Sequence, residues 1–255
     1  MKMKFFGMLL ILSNLLFVNI IANGNSEINN QLIADSSTTT VIDGITAEDI
    51  FAKYLSAIGG KEVLLKVIDR TTLMSATFQD FNIDITVYQK APNKYLQSTS
   101  FSGQETFMVY DGTKGYQQSF MGSGDIVGDE LEMLKIEASL HFLANWMEFG
   151  VKLELAGTQK INDKDAYEVK MILPSGTTIT QSFDAENYLK IRETKSISSP
   201  QGTIDVTIDY SDYRDVEGVK YPFKLTQAAG GMKLDFDVTG IMVNKGIADE
   251  IFNKK

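Results

Sequence analysis

Apolar and polar residues alternate along most of this chain. Ile83-Asp84-Ile85-Thr86-Val87, Ile204-Asp205-Val206-Thr207-Ile208 and Leu234-Asp235-Phe236-Asp237-Val238 each place every second side chain in the apolar class. Successive side chains of a strand point to opposite faces, so a period of two gives one apolar and one polar face. Such stretches run from about Leu73 to Val243. They predict strands over 71–78, 81–90, 94–101, 105–110 and 114–120, then over 152–160, 166–173, 177–183, 188–196, 203–210, 219–227 and 232–243.

The links between these stretches carry turn residues: Asp111-Gly112, Asn162-Asp163, Pro174-Ser175-Gly176, Ala185-Glu186-Asn187, Ser199-Pro200-Gln201-Gly202 and Gly230-Gly231. Links this short force antiparallel neighbours in meander order. The apolar phase slips at Gly240, from Leu234, Phe236 and Val238 to Ile241 and Val243, which predicts a β-bulge. The period changes to helical in two places. Thr46-Ala47-Glu48-Asp49 reads as a capping box opening a helix with Ile50, Phe51, Tyr54, Leu55 and Ile58 on one face, stopped by Gly59-Gly60. A short second helix follows at about 61–67. The stretch 129–147 has Leu131, Leu134 and Ala138, then Leu140, Leu143, Ala144 and Met147, at helical spacing with a break near Ser139. A last short helix is expected from about Ile247. No repeat and no composition break divides residues 46–255, so a single domain is expected there.

The implied fold class is mainly β with few α (α+β): a curled antiparallel sheet of about ten to eleven strands that closes as a barrel or has short helices covering its concave apolar face. The inner face is expected to carry Ile83, Ile85, Val87, Phe107 and Val109 from the first half of the sheet. Val169, Met171, Ile179, Phe183, Ile191, Val206, Ile208, Phe223, Leu225, Leu234 and Phe236 follow from the second, with Asp, Lys, Thr and Gln outside. If the helices do not fill the concavity, an apolar cavity remains, a ready site for a lipid chain; a simply packed core fits the same pattern.

The N-terminus adds a destination. Lys2 and Lys4 precede an apolar run from Phe5 to Ala22, and Ala22-Asn23-Gly24 is a small-x-small cleavage site, the layout of a secretory signal peptide over residues 1–24. Ser13, Asn14 and Asn19 interrupt the run, which weighs against a membrane anchor. Residues 25–45, rich in Asn, Ser and Thr, read as a flexible spacer. The expected location is the periplasm. The absence of cysteine excludes disulfides, a thiol nucleophile, zinc–thiolate chemistry and an N-terminal lipidated cysteine. The net charge is −9, and about −11 once the leader with its two lysines is removed, so a nucleic-acid partner is not expected.

Two motifs then carry a resemblance. Lys90-Ala91-Pro92-Asn93-Lys94-Tyr95 is followed by the hairpin Asp111-Gly112-Thr113-Lys114-Gly115-Tyr116, in the order leading helix, strands, mid-chain helices and C-terminal meander. This resembles the periplasmic outer-membrane lipoprotein carriers, the LolA-like family, over roughly residues 46–253. Ala57-Ile58-Gly59-Gly60-Lys61-Glu62 is similar to a lipoprotein-sorting branch of that family. The resemblance implies an incomplete barrel with a helical lid over an apolar cavity. It also implies receipt of acylated lipoprotein from an inner-membrane ABC transporter and delivery to an outer-membrane acceptor, with no bond made or broken. Carriers of this family place an arginine that helps regulate lid closure directly before the proline. Here that position is Ala91, and the cation stands one residue earlier, at Lys90, which period 2 turns to the other face. Tyr95 keeps the aromatic three residues after the proline.

Enzymatic readings find little to hold. His141, the sole histidine, lies in the mid-chain helix between Leu140 and Phe142, and no nucleophile-elbow motif accompanies it. Asn162-Asp163-Lys164-Asp165 reads as a turn rather than a metal loop, and Asp205, Asp209 and Asp212 as solvated positions. Met121-Gly122-Ser123-Gly124 lacks a phosphate-binding context and is expected as a loop leading to the lid. No catalytic residue, metal or cofactor is implied. The function expected is non-enzymatic carriage of lipoprotein acyl chains or another lipid, with helices 129–147 and loop 122–128 as lid. The cavity lining expected is Ile83, Ile85, Val87, Tyr95, Phe107 and Val109, then Leu140, Leu143, Trp146 and Met147, with Met171, Phe183, Phe223 and Phe236. The alternative is an exported interaction or scaffold module with a packed β core and no ligand.

Overall fold

A computed structural model describes residues 44–120, 122–199 and 202–254. The leader and nearly all of the spacer expected at the N-terminus lie outside these residues. The first helix opens as the capping box requires. The Asp49 backbone N–H donates to Thr46 Oγ1 at 3.1 Å and the Thr46 N–H donates back to Asp49 Oδ2 at 3.0 Å, opening α1 (Ala47–Ala57). A short α2 (Lys61–Leu65) follows the Gly59-Gly60 stop.

Six strands come next: β1 (Asp69–Phe78), β2 (Phe81–Lys90), β3 (Lys94–Phe101), β4 (Gln104–Tyr110), β5 (Gly115–Ser119) and β6 (Gly122–Ile126). The helical segment then comprises α3 (Gly128–Ala138), α4 (Phe142–Asn145) and a 3-10 turn (Trp146–Phe149), broken at Ser139, whose ψ of 99° is extended. Seven strands complete the chain: β7 (Lys152–Ile161), β8 (Lys164–Ile172), β9 (Thr178–Asp184), β10 (Lys190–Ser199), β11 (Gly202–Val216), β12 (Val219–Ala229) and β13 (Met232–Val243). A 3-10 turn (Asp249–Phe252) stands where the last helix was expected.

All the strands join one curled, unclosed antiparallel sheet in the order β6-β5-β4-β3-β2-β1-β13-β12-β11-β10-β9-β8-β7. Two meanders are thus sewn together by β1 and β13, and β6 and β7 are left as the edges. Thirteen strands exceed the ten to eleven expected. Part of the surplus is β6, where Gly122–Ile126 was expected as loop. It pairs along β5, with Ile126 opposite Gly115. The bulge falls where the phase slip places it: Leu73 pairs with Gly240 but Met74 with Val238, which leaves Thr239 as the extra residue. The β7–β8 link is a two-residue hairpin with both Asn162 and Asp163 at positive φ, the conformation that matches strand twist.

One arrangement governs everything below. The chain leaves the sheet at one edge, β6, runs through the helical segment, and re-enters at the opposite edge, β7. The helices therefore bridge the unclosed side. α3 lies against β3 and β4, while α1 lies against β7. Among the described residues no helix is long and apolar enough to cross a membrane.

Candidate functional site

The concave side holds two apolar clusters. The first joins Ile83, Ile85, Val87 and Tyr95 to Phe236 and Val238, with Leu134 and Ala138 of α3 on top. The second joins Met171, Phe183 and Leu155 to Ile50, Phe51 and Tyr54 of α1 and to Trp146. α3 sits astride both, because Leu131, Leu134 and Ala138 face the first while Met133 and Ile136 pack against the second. This double duty explains why α3 shows no single apolar stripe.

Gly115 sets how closely α3 approaches the sheet. A Cβ added there would stand 3.0 Å from Ile126 Cβ and from Leu134 Cδ2 and 3.2 Å from Leu131 Cδ1, so any side chain requires these neighbours to give by a few tenths of an ångström. Gly115→Val is expected to weaken the docking of α3 by about 1–3 kcal/mol, since overpacking forces neighbours off their rotamers. The check is a raised rate of uptake of an apolar fluorescent dye, with near-native far-UV circular dichroism.

A side-chain tie reinforces this seat. Gln89 Nε2 donates to the Glu137 carbonyl of α3 at 2.8 Å, and Arg70 from β1 donates to Gln89 Oε1. Lys90 takes no part. Its Nζ donates to the Ile247 carbonyl at 2.6 Å and pairs with Asp249 at 2.7 Å, holding the C-terminal turn on the other face. The alternation that turns Lys90 away turns Gln89 toward the helices.

The expected lining residues separate accordingly. Ile83, Ile85, Val87, Tyr95 and Phe236 come together beneath α3, and Met171, Phe183 and Trp146, with Leu143 packed beside them, come together beneath α1. Phe223 packs against the first cluster and a third. Three placements are corrected. Phe107 and Val109 lie on the outer face, packed with Leu96 and Phe252 of the C-terminal turn; β4 is apolar on both sides, so its alternation did not mark the inner one. Met147 is 71 % exposed, because the 3-10 turn rotates it outward while burying Trp146. Leu140 packs with Val67, Val219 and Tyr221, away from the two concave clusters. His141 Nε2 lies 2.8 Å from the Val67 carbonyl and accordingly donates to it, a structural tie.

The expectation that Lys and Gln stay outside is also corrected. A belt of polar side chains crosses the concave face. Gln181, Glu193, Ile208, Gln227 and Leu234 are direct cross-strand neighbours in one row through β9 to β13. Lys195, in the adjacent row, is 6 % exposed. The register slips at Ile191, bringing Lys190 inward, where its Nζ pairs with Glu193 at 2.8 Å and lies 4.4 Å from the centre of the Tyr210 ring. Tyr213 Oη donates to the Lys190 carbonyl at 2.7 Å. Burial works to lower the Lys190 ammonium, but Glu193 and the surrounding tyrosines hold it well above its ordinary value. Lys195 goes the other way, pushed down by burial despite Glu193 and Glu137. The sequence carried the signal: Glu193 and Lys195 share the parity of Ile191, Gln181 that of Ile179, and Gln227 that of Leu225.

From the α3 side, Glu137 meets this belt. Burial pushes its carboxyl up to about 7, and the charges acting on it are Lys195, Glu193 and Lys190 of β10 and Arg70 of β1. Tyr95 of β3 and Tyr210 of β11 also feel it. The closed arrangement therefore favours protonated Glu137. It bears no cost from this group below the ordinary carboxylate range and loses stability as pH rises from about 4.5 through about 7. Against Glu137→Gln, the native chain should lose on the order of 2 kcal/mol more between pH 5 and pH 8, read from urea midpoints at each pH. Parallel profiles for the two proteins would contradict this.

The two best-formed depressions among the described residues are surface features. One, of about 570 Å³, is lined by Asp49, Lys53, Tyr167 and Tyr188; the other, of about 490 Å³, by Asp84, Lys233, Asp235 and Asp237. The concave interior is closed by the helices.

Neither a family model nor any curated protein sequence matches the chain. Solved structures do. A DUF1329 family protein from Desulfovibrio piger superposes with a TM-score of 0.54 at 10% identity, over 81% of this chain and 97% of that one. A LolA superfamily protein from Nitrosomonas europaea gives 0.54 at 14% identity, over 82% and 98%. A Vibrio parahaemolyticus domain assigned to outer membrane lipoprotein sorting gives 0.50 at 11% identity, over 80% and 95%. At these identities the likeness is one of fold.

Proposed function

We propose that this chain, which has a LolA-like fold, is a periplasmic, non-enzymatic carrier that takes an acyl chain between its curled sheet and its helical segment. The observation that carries this is topological. The two edge strands do not pair with each other, and the segment between them lies on the apolar concave face. A cover tied down through its two ends, the close approach at Gly115, the Gln89–Glu137 hydrogen bond and the His141–Val67 hydrogen bond can move without unravelling the strands. Opened, it exposes Ile83, Ile85 and Phe236 in one sweep, and an acyl chain replaces Leu131, Leu134 and Ala138 against them. Each CH₂ so buried contributes about 0.8 kcal/mol, so cargo passes downhill to whichever acceptor buries it better. The cargo on this reading is a lipid or an acylated lipoprotein, delivered from an inner-membrane ABC transporter toward an outer-membrane acceptor.

A second reading, an exported interaction module with a packed core, draws support from the filled interior: Ile83, Leu134, Ala138 and Phe183 are each 0 % exposed. Native mass spectrometry of the exported protein, purified without detergent and followed by lipid extraction, separates the two. A carrier retains or takes up an acyl lipid at about one per chain. A protein that emerges empty and refuses a fluorescent fatty acid is the interaction module.

A further inference from the structure

The belt on the concave face has a composition that a purely apolar cargo does not need. Lys190 and Lys195 converge there on Glu193, and from above Glu137 of α3 meets both lysines, Glu193 and Arg70 of β1. Gln227 is 0 % exposed, yet both polar atoms of its amide lack a hydrogen-bond partner among the described residues. Gln181 Oε1 and Arg70 Nε, also buried, lack one as well. Such groups cost free energy wherever they are enclosed, and packed apolar side chains in their place would not.

We propose that these residues form a headgroup site, and that the cargo is an acyl lipid ending in an anionic oxygen group, a carboxylate or a phosphate, whose place Glu137 holds while the helices are closed. The inference rests on the carrier reading above and names its substrate class. With Glu137 in place and ionised, as it is above about pH 7, Lys190, Lys195 and Arg70 act on it while Glu193 pairs with Lys190. When α3 swings away, Lys195 and Arg70 lose the Glu137 carboxylate while Glu193 stays with Lys190, and the positive charge left over attracts an anion. Arg70 Nε and the Gln227 amide then supply N–H donors, and Lys195 a charge-assisted one. The geometry also orders the ligand. Ile208 and Leu234, in the same row, belong to the first apolar cluster, so a head anchored at β10 directs its tail along β12, β13, β1 and β2 beneath the former seat of Leu134. A neutral acyl group has nothing to offer this belt.

The test is displacement of a bound apolar fluorescent dye from the mature chain at pH 8, with three ligands of equal tail length: oleate, oleoyl lysophosphatidate and oleyl alcohol. Oleate or lysophosphatidate, or both, should bind at least about ten-fold more tightly than the alcohol, the scale of one charge-assisted hydrogen bond in an enclosed site. Which of the two is tighter distinguishes a fatty acid from a phospholipid source. Lys195→Met should erase most of that preference and leave the alcohol within about two-fold. Glu137→Gln, which keeps the shape but removes the competing charge, should tighten the anions several-fold and the alcohol far less; it stands as the readout if Lys195→Met does not fold. Equal affinity for all three ligands, or a preference untouched by either substitution, overturns the headgroup site while leaving the carrier reading standing. Failure of the dye and of all three ligands to bind overturns both.

Discussion

Phe51→Ala is expected to lower the unfolding free energy by about 3–5 kcal/mol, the usual cost of emptying a large aromatic position in a packed core. Phe51 is 0 % exposed on α1 and meets three aromatic partners. Its ring centre stands 5.6 Å from that of Trp146, 5.8 Å from Tyr54 and 6.3 Å from Phe183, each at a steep angle that favours edge-to-face attraction. The substitution should do more than destabilise. Trp146 opens the 3-10 turn that closes the helical segment before β7, so Phe51 anchors that segment at one of its two ends. Urea unfolding gives the stability loss, and the emission of Trp146, the sole tryptophan, should shift toward that of a solvated indole before global unfolding begins. A single coincident transition with a loss below about 1 kcal/mol would show that the aromatic group does not hold the cover.

Gly59→Ala should cost about 2–4 kcal/mol through a different mechanism. Gly59 has a φ of +127°, which an L side chain resists, and its added Cβ would collide with the carbonyl oxygen of Gly218 in the β11–β12 turn. Next to it, the Lys220 N–H donates to the Ile58 carbonyl at 2.9 Å. The end of α1 is thus docked backbone to backbone on that hairpin, and backbone has no rotamer with which to yield. Gly60→Ala, at φ +86° but with nothing within 4 Å of the added Cβ, is the control and should lose less. Thermal midpoints of the two variants compare the collision with the strain alone.

Much of this architecture is visible in the residues. Period-two alternation locates the long strands because one face of each meets a core. The Thr46–Asp49 box and the break at Ser139 mark helix ends because their backbone groups need partners there. The slip from Val238 to Ile241 marks the bulge because an extra residue reverses every later side chain. What escaped did so for physical reasons. β6 is too polar and glycine-rich to alternate; pairing with β5 defines it rather than its own composition. Phe107 and Val109 belong to a strand apolar on both faces, and only the distant Phe252 decides which apolar residues it covers. The polar belt was concealed by a rule about residue type. Parity puts Glu193, Lys195, Gln181 and Gln227 inward, whereas the ordinary preference of charged residues for water puts them outward, and here parity wins because the sheet cannot turn single residues over.

The carrier account meets its most direct test in photo-cross-linking. The chain from residue 25 onward would be incubated with palmitate bearing a mid-chain diazirine, irradiated, and digested for peptide mass spectrometry. The account predicts adducts on the concave strands and the cover, in peptides containing Ile83 and Ile85, Phe236, or Leu134. It also predicts a loss of those adducts when unlabelled palmitate competes. Adducts confined to the outer surface, around Phe107 and Phe252 or in the groove of Lys53, Tyr167 and Tyr188, would contradict it.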